Sequence, residues 1–253
     1  MSPLFTLVLF VGGVVGGALN AVAGGGSFIV FPIMLLGGIA PVVANATTAV
    51  ALWPAGLSSV GAYRRELSAR DRAERRVMIV LGVVSALGGG LGAQLLLITS
   101  EAMFAKLLPF LMLAAASIFT LGPRLTRRRE GSLLPLAAGA FIQLLISTYG
   151  GYFGGGMGIM MLSTLTLVGM THIHKMNALK VVFSLLINGV ALVSFFIARK
   201  VNVGAALPVA VGAIVGGWSG ASIARRVAPG RVRQFVLFIA WALTAWFFAR
   251  GYL

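Results

Sequence analysis

Long stretches of uncharged, mostly apolar residues dominate this chain. No charged residue occurs before Arg64, and none occurs in three later stretches, at 77–100, 181–198 and 201–224. A helix needs about 20 predominantly apolar residues to cross the hydrocarbon core of a bilayer. The pattern therefore predicts an all-α polytopic membrane protein.

The apolar stretches divide into ten segments, in two sets of five. In each set the second segment has only about fourteen residues and follows three glycines, which predicts a short or broken helix that lines a cavity. An ordinary, tightly packed helix pair is the alternative, and the pattern leaves open whether 3–22 and 27–40 both span or form a re-entrant hairpin. The predicted segments are 3–22, 27–40, 43–63, 77–97 and 102–122, then 132–149, 157–170, 177–198, 204–223 and 234–250.

The two sets also share a motif. Three glycines at 24–26 precede an apolar run that leads to Asn45, and three at 154–156 precede a similar run to Asn177. A weak internal repeat of this kind is typical of transporters in which two duplicated halves enclose one central site. We therefore expect a first transmembrane repeat at 1–123, a cytoplasmic linker at 124–131 and a second repeat at 132–253.

The composition also indicates a membrane protein, and it excludes several kinds of site. Hydrophobic residues make up 59% of the chain, charged residues only 10%, and mean hydropathy is +1.00, which lies outside the soluble range. The net charge of +15 does not indicate nucleic acid, because the basic clusters lie between apolar segments, where they contact anionic lipid headgroups. The absence of cysteine excludes disulfides, thiolate metal sites and cysteine nucleophiles.

The distribution of basic residues favours inverted repeats. If each repeat crosses the membrane an odd number of times, the cytoplasmic loops hold sixteen of the 20 lysines and arginines, and four lie outside. An even number of crossings gives thirteen inside and seven outside. Because cytoplasmic loops carry the excess of Lys and Arg, the odd number is preferred. This count does not depend on whether the first two segments of each half span or form a hairpin.

The few acids and histidines argue against an enzyme, a metal site or a cofactor. Hydrolytic or redox chemistry needs positioned acids, bases or metal ligands, whereas all seven of these residues lie in or beside predicted loops. We interpret the acids as solvated ion-pair partners or as residues that border short connections, and a proton-sensing role for the histidines is left open. The residues are Glu66, Asp71, Glu74, Glu101, Glu130, His172 and His174.

The sequence does contain the kinds of group that bind a small anion. An anion needs backbone amides, hydroxyls and a cation in a polar pocket. Lys180 lies within the apolar register of a helix start rather than in a basic cluster, and intramembrane cations are costly enough to suggest function. Snorkelling of its side chain to the inner interface is the alternative. The predicted binding residues are Gly24, Gly25, Gly26, Ser27, Asn45, Thr47, Thr48, Gly154, Gly155, Gly156, Asn177 and Lys180, with Asn20, Tyr149, Tyr152 and Ser184 as secondary candidates.

At these residues the sequence resembles the TauE/SafE sulfite exporter family, also called the toluene sulfonate uptake permeases. The resemblance is carried by GGGSFIVFPIMLLGGIAPVVANATTAVALWPAGLSS and by GGGMGIMMLSTLTLVGMTHIHKMNALKVVFSLLINGV, and it extends over nearly the whole chain. It implies a multi-pass protein of the bacterial inner membrane that moves sulfite, thiosulfate or sulfonates such as sulfoacetate. One departure is the bulky run at Tyr149, Tyr152 and Phe153, which puts the pocket size in question.

Two hypotheses follow for the function. The first is a secondary carrier of a small sulfur-containing anion that works by alternating access between the two halves. The second is a passive anion channel or a structural membrane subunit, in which the glycines and cations only pack and anchor helices. The chain has no nucleotide-binding motif, so energy would come from a gradient or a separate protein. The coupling ion, H⁺ or Na⁺, the direction of transport and the oligomeric state are left open.

Inverted repeats make a definite prediction about topology. The segments at 64–76, 124–130 and 225–233 should be cytoplasmic, and Thr99 and Asn202 should lie outside. Single cysteines introduced into this cysteine-free chain can be tested with an impermeant thiol reagent in intact cells. Labelling of Thr99→Cys and Asn202→Cys but not of a cysteine at residue 229 is expected. Labelling of residue 229 from outside would exclude the inverted arrangement.

Overall fold

The protein is all-helical over the residues that the structure, a computed structural model, describes: 1–22, 25–62, 67, 72–125, 134–223 and 229–252. Gly24, Glu66, Asp71, Glu130, most of the predicted linker and residues 225–228 lie outside these ranges. The helices are α1 (Pro3–Val22), α2 (Ser27–Leu36), α3 (Pro41–Ala62), α4 (Arg72–Ile98), α5 (Glu101–Leu125), α6 (Leu136–Tyr152), α7 (Met157–Leu167), α8 (Ile173–Ile197), α9 (Val203–Ile223) and α10 (Pro229–Tyr252).

Each predicted apolar segment corresponds to one of these helices, and the short helices after the glycine motifs are confirmed as α2 with 10 residues and α7 with 11. The main differences are at helix starts, since α4 begins at Arg72 rather than 77 and α8 at Ile173 rather than 177. Hydropathy marks only the apolar part of a helix, whereas the helix continues through a polar first turn. Asn177 and Lys180 therefore lie inside α8, not at its start.

The outer surface of the bundle is apolar. On α4, the side chains of Ile79, Val83, Leu87, Leu91 and Leu95 are all about half exposed and are spaced four residues apart, so they form one stripe. The opposite face buries Ser85 and small glycines, which reverses the pattern of a soluble amphipathic helix. Four described helices, α1, α4, α5 and α8, are long and apolar enough to span a bilayer.

The two sets of five helices pack in corresponding ways. The first helix of each set packs on the fourth helix of the other, so α1 lies against α9 and α6 against α4. Likewise α3 packs on α9 and α8 on α4, while α3 crosses α8 and α5 crosses α10. Every major contact thus has its counterpart in the other repeat. The repeats are intertwined rather than side by side; their inverted orientation remains a prediction.

Glycines set the closest of these contacts, and they too correspond. An added Cβ at Gly89 of α4 would lie 2.6 Å from the Cα of Ile187 on α8, and one at Gly217 of α9 would lie 3.4 Å from the Cβ of Ala55 on α3. Ala55 and Ile187 are separated by the same 132 residues that separate the two asparagines of the motif. The sequence repeat is therefore also a repeat of helix packing.

The two short helices end in the same way. Gly38 after α2 and Gly169 after α7 have φ of 78° and 91°, in the left-handed region that glycine adopts without steric cost. In each case the amide of the following residue bonds back to a carbonyl five residues earlier, Ile39 to Met34 and Met170 to Leu165. This is a Schellman-type helix end, and it stops both helices well short of a full span.

One predicted acidic residue has a different environment from the one expected. Glu74 is not simply solvated, because its carboxylate forms an ion pair with the ammonium of Lys175, at 2.6 Å, and the Lys175 side chain is buried. The pair joins α4 to α8 and therefore links the two repeats. Glu101 accepts a hydrogen bond from the backbone N–H of Val42 at 2.7 Å, so it caps the start of α3.

Two glycines of α4 provide a matched test of this packing. An added Cβ at Gly92 would overlap the backbone of Thr148 on α6, whereas one at Gly82 would make an ordinary contact with Leu186 at 3.6 Å. Gly92→Ala should therefore destabilise the protein by about 1–3 kcal/mol, and Gly82→Ala should be neutral or slightly stabilising, because alanine favours helices. Thermal unfolding in detergent would measure both. Equal midpoints would contradict the close α4–α6 approach.

Candidate functional site

A cavity of about 140 Å³ lies where α3 crosses α8, and both repeats contribute to it. The remaining wall comes from the end of α1, the start of α2 and the connection from α6 to α7. The residues of the wall are Asn20, Ser27, Asn45, Thr48, Ala49, Leu52, Trp53, Ala55 and Gly56 of the first repeat and Gly150, Gly151, Phe153, Gly154, Met157, Gly158, Lys180, Val181, Ser184, Leu185 and Asn188 of the second.

Corresponding faces of α3 and α8 line the cavity. A shift of 132 residues converts five of the seven lining residues of α3 into the five lining residues of α8. In both helices these residues have a spacing of three to four, which is one helix face. The cavity therefore lies between corresponding faces of the two helices. The corresponding pairs are Thr48 and Lys180, Ala49 and Val181, Leu52 and Ser184, Trp53 and Leu185, and Gly56 and Asn188.

Hydrogen bonds between the repeats fix this crossing. The indole N–H of Trp53 donates to the carbonyl of Leu185 at 3.1 Å, which joins two corresponding positions directly. The side-chain amide of Asn45 donates to the carbonyl of Tyr152 at 2.9 Å, at the end of α6. Both bonds join a side chain of α3 to a backbone carbonyl of the second repeat. They therefore hold α3 in register with the second repeat.

Both short helices begin at the cavity. Ser27 is the first residue of α2, and Met157 and Gly158 open α7; all three belong to the wall. In neither helix does the N-cap residue, a glycine, supply a side-chain cap, although the N–H of Gly26 before α2 donates to the side-chain oxygen of Asn20 at 3.4 Å. Because the N-terminus of a helix carries a partial positive charge on its amides, two such ends favour a negatively charged occupant of the space between them.

Two glycines shape the start of α7 by their backbone conformation. Gly154 and Gly156 have φ of 83° and 80°, which an L side chain rarely adopts. The carbonyl of Gly155 between them accepts a hydrogen bond from the hydroxyl of Tyr149 at 2.7 Å. This turn lets the chain leave α6 and begin α7 beside the cavity, which accounts for the glycine triplet in the second repeat.

Lys180 provides the positive charge of the cavity. Its aliphatic stem lies against Gly158 in the first turn of α7, where an added Cβ would come within 3.1 Å of the lysine Cδ. No other charged side chain belongs to the described wall. The ammonium is therefore placed on the same wall as the start of α7, rather than among the basic residues of a loop.

Seven of the residues singled out from the sequence lie in the wall, and the others support it. Ser27, Asn45, Thr48, Gly154 and Lys180 face the cavity, as do Asn20 and Ser184. Thr47 instead accepts a hydrogen bond from the backbone N–H of Asn202 at 3.0 Å, which joins α3 to the α8–α9 connection. The remaining candidates in the described residues, Gly25, Gly26, Gly155, Gly156 and Asn177, do not belong to the wall.

The glycines outside the wall have packing contacts. An added Cβ at Gly25 would lie 2.7 Å from Val236 of α10, and one at Gly26 would overlap the carbonyl of Gly16 on α1. Gly155 and Gly156 lie against Ala115 of α5 in the same manner. These residues position the short helices and do not themselves face the cavity.

Sequence reasoning missed several residues of the wall. Trp53, Leu185 and Asn188 were not singled out, because the repeated motif ends at Thr48 and at its counterpart Lys180. Phe153 was noted as bulky, and it does belong to the wall. Apolar wall residues give no separate signal, because a leucine or tryptophan in a membrane helix more often faces lipid or a neighbouring helix.

The profile of the sulfite exporter TauE/SafE family matches residues 9–247. This chain belongs to the TauE/SafE sulfite exporter family. It is therefore a membrane transporter protein.

Curated relatives carry transporter names as well. A "Probable membrane transporter protein" of Haemophilus influenzae is 28% identical over 240 residues, which cover 94% of this chain and 92% of the relative. The "Probable membrane transporter protein ORF9" of a Sinorhizobium species is 32% identical over 64% of this chain and 61% of the relative. The "Probable membrane transporter protein YfcA" of Escherichia coli K12 is 24% identical over 97% and 90% of the two chains. No solved structure matches this chain.

Proposed function

We propose that this TauE/SafE protein is a secondary transporter of small sulfur-containing anions, such as sulfite, thiosulfate or a sulfonate, in the bacterial inner membrane. The observation that carries the proposal is the charge of one cavity. A single lysine and the N-termini of two short helices surround a space between the repeats, and no carboxylate belongs to its described wall. Such a space favours an anion over a cation or a neutral molecule.

The hydrogen-bonding groups of the wall fit an oxyanion. Side-chain amides of Asn45 and Asn188 and hydroxyls of Ser27, Thr48 and Ser184 all belong to it. Asn45 and Asn188 each donate one amide hydrogen to a backbone carbonyl, that of Tyr152 and that of Ser184, and the Thr48 hydroxyl donates to the carbonyl of Ala44. The second amide hydrogen of each asparagine and the hydroxyl of Ser27 are the neutral donors that would replace part of the hydration shell of a sulfonate or sulfite oxygen. The family name points to the same chemistry, because sulfite is itself a small sulfur oxyanion.

The position of the cavity supports alternating access. Transporters with inverted repeats bind substrate at the interface of the repeats and rock one half against the other about that site. Here the cavity lies between corresponding faces of α3 and α8, where a rocking motion would open one end as it closes the other. A passive anion channel, or a structural subunit, is the competing proposal, and it requires no closed states.

Lys180 is the residue on which this proposal depends most. A hydrogen bond to a charged group contributes about 1.5–3 kcal/mol, so Lys180→Ala should weaken binding of a sulfonate by about one to two orders of magnitude at ~1.4 kcal/mol per tenfold. Lys180→Arg should recover only part of it, because the planar fork of arginine fits a small pocket poorly. Calorimetric titration of purified protein with ethanesulfonate would measure the change.

A matched control is available on α5, where Lys106 is exposed and does not belong to the cavity wall. Lys106→Ala removes the same charge and should leave affinity unchanged. If Lys180 only snorkels to the headgroups, Lys180→Ala and Lys106→Ala would bind the anion equally well. That result, in monodisperse preparations, would remove Lys180 from the site.

A further inference from the structure

The charge of the cavity wall limits the charge of the sulfur anion that the cavity can bind. Lys180 supplies one positive charge, and the corresponding position in the first repeat holds the neutral Thr48. The other lysine of α8, Lys175, is paired with Glu74, so its charge is already balanced. Among the residues that the structure describes, the wall therefore presents one ammonium group to its occupant.

A single ammonium group balances a monoanion but not a dianion. A second negative charge would have to lie in a space enclosed by helices within the membrane, where an unpaired charge is strongly disfavoured. The neutral donors and helix N-termini offer partial charges only, and these serve the oxygens of one acidic group. Duplication has thus produced two equivalent positions, of which one carries a cation and the other does not.

The rest of the wall is suited to a short apolar group. Leu52, Trp53 and Phe153 belong to it together with Val181 and Leu185, so apolar side chains come from α3, α8 and the α6–α7 connection. The volume is about 140 Å³, and an apolar protein cavity of about 150 Å³ holds benzene, a ligand of six non-hydrogen atoms. An anion with a small hydrocarbon tail fits both the size and the lining.

We propose that the cavity selects a monoanionic alkanesulfonate of about six non-hydrogen atoms and discriminates against organosulfur dianions, because Lys180 has no second cation beside it. This inference rests on the proposed function and narrows its substrate class. Thr48 is then a specificity-determining position, since a cation there would restore the charge symmetry of the two repeats.

The test compares anions that differ in charge but little in size. Ethanesulfonate is a monoanion, and sulfoacetate is the dianion in which a carboxylate replaces its methyl group. The monoanion 2-methylpropane-1-sulfonate matches sulfoacetate in its number of non-hydrogen atoms. Calorimetric titration of the purified wild-type protein at neutral pH should give at least about tenfold tighter binding for ethanesulfonate than for sulfoacetate. The affinity for 2-methylpropane-1-sulfonate should stay closer to that for ethanesulfonate, which separates the effect of charge from that of size.

A pair of variants tests the role of Thr48. Thr48→Lys adds the missing cation and should reverse the order, so that sulfoacetate binds more tightly than ethanesulfonate. Thr48→Met adds a side chain of similar length without charge and should keep the wild-type order. Because Thr48 is buried, the lysine variant could fail to fold; the ranking of the three anions by the wild type then decides on its own.

Several results would overturn this inference. Equal or tighter binding of sulfoacetate by the wild type would show that one ammonium group does not limit the charge of the ligand. The same order in Thr48→Lys and Thr48→Met would show that position 48 does not set it. If the wild type binds thiosulfate, a dianion, but none of the sulfonates, this inference fails while the proposed transport of sulfur anions stands. If it binds no sulfur anion, the proposed function fails as well.

Discussion

Close backbone contacts at glycine hold the helices of this protein together. Inside a bilayer, apolar surfaces gain little by leaving lipid, so helices associate through tight packing and interhelical hydrogen bonds. Here the glycines of α1, α4 and α9 let helices of different repeats approach at the backbone, α1 against α9 and α4 against α6. Each contact joins the first helix of one repeat to the fourth helix of the other. The two halves are therefore packed into one unit, and the crossing of α3 with α8 is fixed between them.

This constraint explains why a cavity exists where it does. The short helices α2 and α7 stop well before a full span, and their starts lie beside the α3–α8 crossing. Irregular backbone at membrane depth is tolerated where it lines a cavity or is buried in protein. The packing of α1 on α9 and of α4 on α6 thus brings the N-termini of the two short helices to the same cavity. Lys180, the one lysine of the described wall, adds a positive charge beside them.

The two repeats correspond in packing but not in chemistry. Gln143 and Ser147 of α6 stand 130 residues from Gly13 and Gly17 of α1, and both polar side chains are fully buried against α4. The amide nitrogen of Gln143 donates to Ser85 at 2.8 Å, while its oxygen has no partner among the described residues. Lys180 likewise corresponds to the neutral Thr48. Of the ten buried polar side chains among the described residues, six lie in the second repeat.

Much of the fold could be predicted from the sequence because a membrane imposes its length on helices. The ten segments and the two short helices follow from uncharged runs and glycine triplets. The repeated motif singled out Ser27, Asn45, Thr48, Gly154 and Lys180.

The features that could not be predicted depend on three-dimensional contacts. Thr47 lies next to Thr48 but bonds to the α8–α9 connection, and Trp53 enters the wall only because α3 crosses α8 at Leu185. The pairing of Glu74 with Lys175 likewise joins residues that are distant in sequence.

The central claim is that one site between the repeats is exposed alternately to the two sides of the membrane. Counterflow in proteoliposomes tests it most directly: vesicles are loaded with unlabelled ethanesulfonate and diluted into a trace of labelled anion. A carrier with one alternating site should accumulate the labelled anion inside, transiently above its external concentration. Unlabelled anion occupies the site on most outward steps, whereas the labelled anion outside binds the site for the inward steps. Uptake that only rises to equilibrium, with no overshoot and no dependence on the internal anion, would contradict the account and favour a passive channel.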